Sequence, residues 1–212
     1  MAEALFDRIA GVYGLFHRYQ MKRFSRILDT HGQLVMLDSM ETICDVGCGT
    51  GALCSVLASR GFTVTGVDTA QRMIEVARMK SRSKSIQFLV ADALQGLPFP
   101  DNAFDLVFTS YVAHGMQLPN RITLYRELMR IAKRAVIVHD YNENRAVLTT
   151  LIEWLERGDY FGFIKHARSE MEAVFPTMTT VQVDTRAFWY ICTCESQYHD
   201  TGKTEDKGST IE

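Results

Sequence analysis

The chain has 212 residues, 47% hydrophobic and 23% charged, which suits one globular domain with a full core and is short for two. Its 23 Lys and Arg against 25 Asp and Glu leave a net charge of −2, so there is no global electrostatic footprint for nucleic acid or an acidic membrane. No apolar run approaches a membrane span, and the acidic start Met1 to Asp7 lacks the basic residues and apolar run of a signal peptide; a cytoplasmic protein is expected, and a homodimer is compatible with the composition.

Apolar residues recur at helical spacing from Glu3 to Leu28, and Gly11 and Gly14 interrupt them, so two helices with a loop between are expected. Thr42 to Val46 reads as a buried strand. It runs into Gly47, Gly49 and Gly51, and an apolar helix follows to about Ser59, with Gly61 as its stop. A glycine there accepts backbone angles that a Cβ forbids and lets a ligand approach the main chain. Phe62 to Val67 is a second strand ending at Asp68, and Thr69 is an N-cap candidate for a helix through Met79. Ile86 to Val90 is a third strand ending at Ala91-Asp92. A turn-rich stretch from Gly96 to Asn102 leads to a fourth, Phe104 to Thr109. A helix from about Arg121 to Ala132 precedes a fifth strand, Ala135 to His139, and two final strands, Thr179 to Ala187 and Phe188 to Cys194, read as antiparallel neighbours.

This alternation implies an α/β fold, a doubly wound and mostly parallel seven-stranded sheet between helical layers with an antiparallel last strand. A single domain is expected over residues 1–195, with a helical cap at 1–38, a helical substrate-side segment at 143–176 rich in aromatics such as Trp154 and Phe163, and a flexible polar tail at 196–212. The five cysteines, Cys44, Cys48, Cys54, Cys192 and Cys194, form no disulfide-like pattern and suggest reduced thiols. Cys44 and Cys48 lie too far from any histidine in sequence to suggest a metal, and none is expected.

Three acids end the first three strands: Asp45, Asp68 and Asp92. At that edge of a parallel sheet each can reach a ligand crevice. Asp68 follows Gly47 by 21 residues, the distance for a carboxylate that accepts from ribose hydroxyls. Two anions near the loop would repel a pyrophosphate and attract an ammonium or sulfonium centre.

On these residues the chain resembles the class I S-adenosylmethionine-dependent methyltransferases that modify small molecules and quinones. Four segments carry the resemblance: Asp45 to Gly51; Gly66-Val67-Asp68-Thr69 with Met73; Ala91-Asp92-Ala93 followed by Leu97-Pro98-Phe99; and Asn102 to Val107. The opening Phe6 to Tyr13 is similar to that of quinone-type members. The resemblance implies S-adenosyl-L-methionine as cofactor, with S-adenosyl-L-homocysteine as product. It sets Asp45 at the methionine end over the main chain of Val46, Gly47, Cys48 and Gly49, and Asp68, with Thr69 beside it, on the ribose. Met73 would pack on the adenine, Asp92 with the Ala93 N–H would read its edge, and Ser110 would flank the methionine moiety. Taken alone, Asp68 could cap a helix, Asp92 could make an Asx-turn and Met73 could be core. One departure is Ile131 to Ala135, where many relatives turn through proline and glycines before the fifth strand.

Methyl transfer from a sulfonium is an in-line displacement, so positioning and desolvation supply much of the rate and a base is optional. His114, after the fourth strand, is the candidate base, or else it packs that loop. His139 reads as a core group. Tyr13, Tyr111 and Tyr141 are candidate acceptor contacts, and the acceptor expected is a small, partly apolar molecule rather than a nucleic acid. The open alternatives are an NAD-type oxidoreductase, whose relaxed glycine fingerprint Gly47 to Ala52 satisfies, and a methyltransferase fold retained as a binding or regulatory module.

Overall fold

The computed structural model describes residues 2–81, 83–142 and 159–194, with side chains from Phe16 onward. The expectations for residues 143–158 and 196–212, Trp154 included, and for the side chain of Tyr13 lie outside the described residues.

Seven strands form one sheet in the order β3-β2-β1-β4-β5-β7-β6. They are β1 (Thr42–Val46), β2 (Thr63–Asp68), β3 (Ile86–Val90), β4 (Phe104–Ser110), β5 (Ala132–Tyr141), β6 (Thr177–Asp184) and β7 (Ala187–Thr193). The first five pair in parallel, and β7 runs antiparallel to both β5 and β6. The central strands are apolar on both faces because helices cover both. Cys44, Val107, Val136 and Cys192 meet one helical layer, and Ile43, Leu106, Ile137 and Ile191 meet the other. The chain moves outward from β1 through β2 to β3 and then resumes on the other side with β4. The switch point therefore falls between the carboxyl ends of β1 and β4, where a crevice must open.

The N-terminal expectation is corrected: Ala2–His31 is one continuous helix, α1, through Gly11 and Gly14. Each glycine costs a helix interior about 1 kcal/mol, an amount that packing overrides. Ile27 and Leu28 bury against the core, Arg23 Nε donates to Asp184 at 2.8 Å, and Arg60 Nη2 donates to the Ser25 carbonyl at 2.9 Å. Helices α2 (Ala52–Ser59), α3 (Gln71–Lys80), α4 (Leu118–Ile131) and α5 (Tyr160–Glu172) complete the described elements of that type.

Three further boundaries differ from the sequence reading. Thr69 is exposed and does not cap α3; Ala70 holds that position, and its N–H donates to Asp68 Oδ1 at 2.9 Å. Helix α4 starts earlier, with Pro119 in its first turn, and passes into β5 at Ala132 without a turn. A register irregularity between Phe104 and Leu106 absorbs the junction, and Lys133 and Arg134 face solvent, where Arg134 Nη1 donates to Ser39 Oγ at 2.8 Å. The β6–β7 turn falls at Thr185-Arg186, because Asp184 Oδ1 takes the Thr185 N–H at 2.6 Å.

Two arginines, Arg121 buried and Arg130 half-buried, fix the loops that frame the crevice. Arg130 Nη1 and Nη2 donate to the carbonyls of Phe99 (2.7 Å) and Leu97 (3.1 Å), which holds the stretch after Asp92. Arg121, 1% exposed, donates through Nε and Nη2 to both Glu170 oxygens at 2.7 Å, and through Nη1 to the Met116 carbonyl at 2.6 Å and to Asp159 at 3.1 Å. It thereby ties α5 to α4 and to the loop after β4. Removing one partner of such a pair strands the other charge in the core, so Arg121→Met is expected to lower stability by about 3–5 kcal/mol. Urea unfolding checks this, and a midpoint within error of the parent would show that the pair is dispensable.

Candidate active site

At the end of β1 the amides of Gly47 and Cys48 both donate to the Val67 carbonyl, at 2.8 and 2.9 Å, and this folds the chain back over β2. Gly47, Gly49 and Gly51 all have positive φ (77°, 51° and 74°), as the turn demands. A Cβ on Gly47 would collide with Val112, and one on Gly51 would lie 2.9 Å from the Phe88 ring. A Cβ on Gly49 would meet nothing within 4 Å, so that glycine faces open space.

Two of the three acids converge on this loop. Asp68 Oδ2 accepts the Gly49 N–H at 2.8 Å. Asp45 is 1% exposed beneath it; Oδ2 accepts from Cys54 Sγ at 3.4 Å, and Oδ1 has no partner among the described residues. Burial, helped by the nearby Asp68 charge, pushes the Asp45 carboxyl up to about 7. Contact with Cys48 and burial hold the Cys54 thiol well above its usual range, so it remains a donor.

The other candidates fall as follows. Val46, Cys48 and Ala93 are buried and frame the crevice. Asp92 Oδ1 accepts the Leu94 N–H at 2.9 Å, an Asx-turn. Met73 packs against Ala70 in a small buried cluster. Ser110 Oγ, at the end of β4, is buried without a partner among the described residues.

Beyond β4 the chain adopts a strained geometry, with Tyr111 at φ 57°. The following turn brings His114 to Asp140, which is fully buried at the end of β5. His114 Nδ1 lies 2.7 Å from Asp140 Oδ1, and the His114 and Tyr141 main-chain amides donate to Asp140 Oδ2 (3.3 Å) and Oδ1 (2.8 Å). A carboxylate there accepts from Nδ1–H, so in the neutral ring Nε2 carries the lone pair. Rings line this end of the crevice: Tyr141 lies 4.8 Å from His114 and 5.0 Å from Tyr111, and Tyr160 lies 5.6 Å from Tyr141.

Three contacts lay beyond the sequence reading. Asp140 as the partner of His114 depends on the β4–β5 register, which pairs Ser110 with His139. Arg23, whose guanidinium stands 5.6 Å over the Tyr111 ring, and His17, buried on α1 with Nδ1 3.4 Å from Thr50 Oγ1, depend on how α1 crosses the loop.

Comparison with known proteins agrees with this geometry. Residues 44–138 match the family model described as "Methyltransferase domain". The chain is 34% identical over 116 residues to a 2-methyl-6-phytyl-1,4-hydroquinone methyltransferase of Synechocystis, covering 53% of this chain and 36% of that protein. It is 33% identical over 141 residues to a demethylmenaquinone methyltransferase of Thermotoga maritima, covering 63% and 57%. The chain thus spans about a third to three-fifths of the length of these relatives. Among solved structures, a Synechocystis magnesium protoporphyrin IX methyltransferase with bound SAH superposes with a TM-score of 0.59 at 18% identity, covering 79% of this chain and 80% of that one, and shows the same fold. The sheet order, glycine loop and acid placement, with the domain match over residues 44–138, support a class I S-adenosylmethionine-dependent methyltransferase family.

The raised Asp45 carboxyl has a signature. From about pH 4 to about 7 the native chain keeps a proton that the unfolded chain has released, so stability is full below pH 4, falls as pH rises through 7, and is flat above. The loss is on the order of 4 kcal/mol at most. In urea unfolding at several pH values, Asp45→Asn should lack this part of the slope; identical pH profiles for variant and parent would refute the assignment.

Proposed function

We propose that the chain is a methyltransferase that binds S-adenosyl-L-methionine at the β1–β4 crevice and methylates a small, partly apolar acceptor. The observation that carries this reading is the pairing of an orphaned, buried Asp45 oxygen and an open-faced Gly49 with a His–Asp pair at the adjacent strand end. These residues fit the cofactor. Asp45 offers a carboxyl oxygen to the methionine ammonium, Gly49 gives a surface without side chain, and Asp68, which takes the Gly49 and Ala70 amides, is a carboxylate of the kind that accepts from ribose hydroxyls. Asp92 and Ala93 bound the adenine end, Met73 lies behind them, and Ser110 flanks the methionine end.

When bound, the cofactor would supply an electrophilic methyl group on a sulfonium, with S-adenosylhomocysteine as the leaving group. Asp140 holds His114 in the Nδ1–H tautomer, and His114 Nε2 takes the proton that the acceptor loses as the new bond to carbon forms. The rings of Tyr111, Tyr141 and Tyr160 give that acceptor an apolar wall. The hydroquinone-type relatives support a ring acceptor for this chain.

Binding of S-adenosylhomocysteine and NADH, each titrated calorimetrically, tests the cofactor. Micromolar affinity is expected for the first and none for the second; the reverse would make the chain an oxidoreductase. Asp68→Ala should weaken S-adenosylhomocysteine by about 1–3 kcal/mol, the penalty for hydroxyls left unpaired. Transfer of a radiolabelled methyl group to small-molecule extracts tests turnover. There His114→Asn should lower the rate by about 10²–10⁴. A parent protein that labels nothing would argue for a binding module.

A further inference from the structure

The fold uses one side of α1. His17, Phe24, Ile27 and Leu28 turn toward the core and the glycine loop. Residues three and four apart share a helix side, so Tyr19, Lys22 and Arg26 lie together on the opposite one, with Arg18 beside Lys22. All four are exposed, and so is Phe16. The short turns directly after α1, Gly32–Val35 and Leu37–Ser39, expose Leu34. Met36 stands between them, 65% exposed at a φ of 50°. Of eight large apolar side chains exposed among the described residues, four fall between Phe16 and Met36. That concentration marks an interaction surface.

The same side is basic. From Phe16 to His31 the helix holds one acid, Asp29, and Arg60 pairs with it at 2.7 Å. Arg18 and Lys22 pair with no acid among the described residues. Arg26 stays 73% exposed, 3.7 Å from an Asp184 that Arg23 already holds at 2.8 Å. The whole chain carries −2, so this positive charge is local and gives the molecule a preferred side.

We infer that the outer side of α1 docks on an anionic lipid surface, with Phe16 and Tyr19 seated in the headgroup layer and Arg18, Lys22 and Arg26 on lipid phosphates. Long basic side chains lay their stems along apolar surface and keep the charge at the phosphate level. A second copy of the chain is the poorer occupant, because a two-fold contact sets these cations against themselves. A nucleic acid backbone would satisfy the cations and give Phe16 and Tyr19 no apolar layer to enter. On the inner side of α1, His17 Nδ1 lies 3.4 Å from Thr50 Oγ1 in the glycine loop. Docking therefore holds that loop one helix diameter, roughly 10 Å, from the lipid. Nothing in this docking depends on what the crevice binds.

Sedimentation of the full chain with vesicles of phosphatidylcholine containing about a third phosphatidylglycerol tests this, with pure phosphatidylcholine as the control. The chain should bind the anionic vesicles more tightly by roughly tenfold or more. About 0.5 M sodium chloride should release it, since charges then act over only a few Å. Arg18→Glu with Lys22→Glu should weaken binding by roughly tenfold or more. Phe16→Ser with Tyr19→Ser, which leaves the charge unchanged, should weaken it to a similar extent. Both pairs should keep the circular dichroism and urea midpoint of the parent. The salt step uses the parent alone, so it tests the docking even where a variant fails to fold. Absent binding to anionic vesicles, equal binding to neutral ones, retention in high salt, or full binding by either folded pair would overturn the inference. So would a dimer in ultracentrifugation that the Phe16→Ser, Tyr19→Ser pair dissolves, or tighter binding of a single-stranded oligonucleotide than of vesicles.

Discussion

Two amide protons on one carbonyl organise this molecule. The N–H groups of Gly47 and Cys48 share the Val67 oxygen, which pins the exit of β1 to β2 and reverses the chain at a φ that only glycine adopts without strain. From that fixed turn, Gly49 reaches Asp68, α2 begins over the sheet, and Asp45 is sealed beneath with one oxygen unpaired. A branched residue at Gly47 would strike Val112 and disturb the β4 exit as well, so the two halves of the crevice are built as one unit.

Across the switch point the other side of the crevice is built from short polar contacts in an aromatic setting. Asp140 takes two main-chain amides as well as the His114 ring, so its carboxylate is rigid. Trp189 does the corresponding work for His139 from the opposite nitrogen. Two histidines on neighbouring strand ends are thereby held in opposite tautomers, one with a basic Nε2 and one with an Nε2–H donor.

Much of this was legible in the residues. The strands and the three terminal acids follow from the alternation of apolar runs with helices and from the glycine spacing, both of which are local signals. The errors have local causes too. Gly11 and Gly14 count against a helix by propensity, but α1 is held by Ile27, Leu28, Arg23 and Arg60, whose partners lie far along the chain. Thr69 has capping chemistry, yet the helix starts one residue later, at an Ala70 whose own amide is held by Asp68 at 2.9 Å.

The sequence by itself determined the parallel sheet, the place of the glycine loop and the acids at the first three strand ends, because hydrophobic period and glycine spacing act over a few residues. Only the tertiary structure decided which groups work together. His114 meets Asp140 across 26 residues, and His139 meets Trp189 across 50. These pairings depend on strand register and on burial, and both are set by the packing of the whole sheet rather than by any neighbour in the chain.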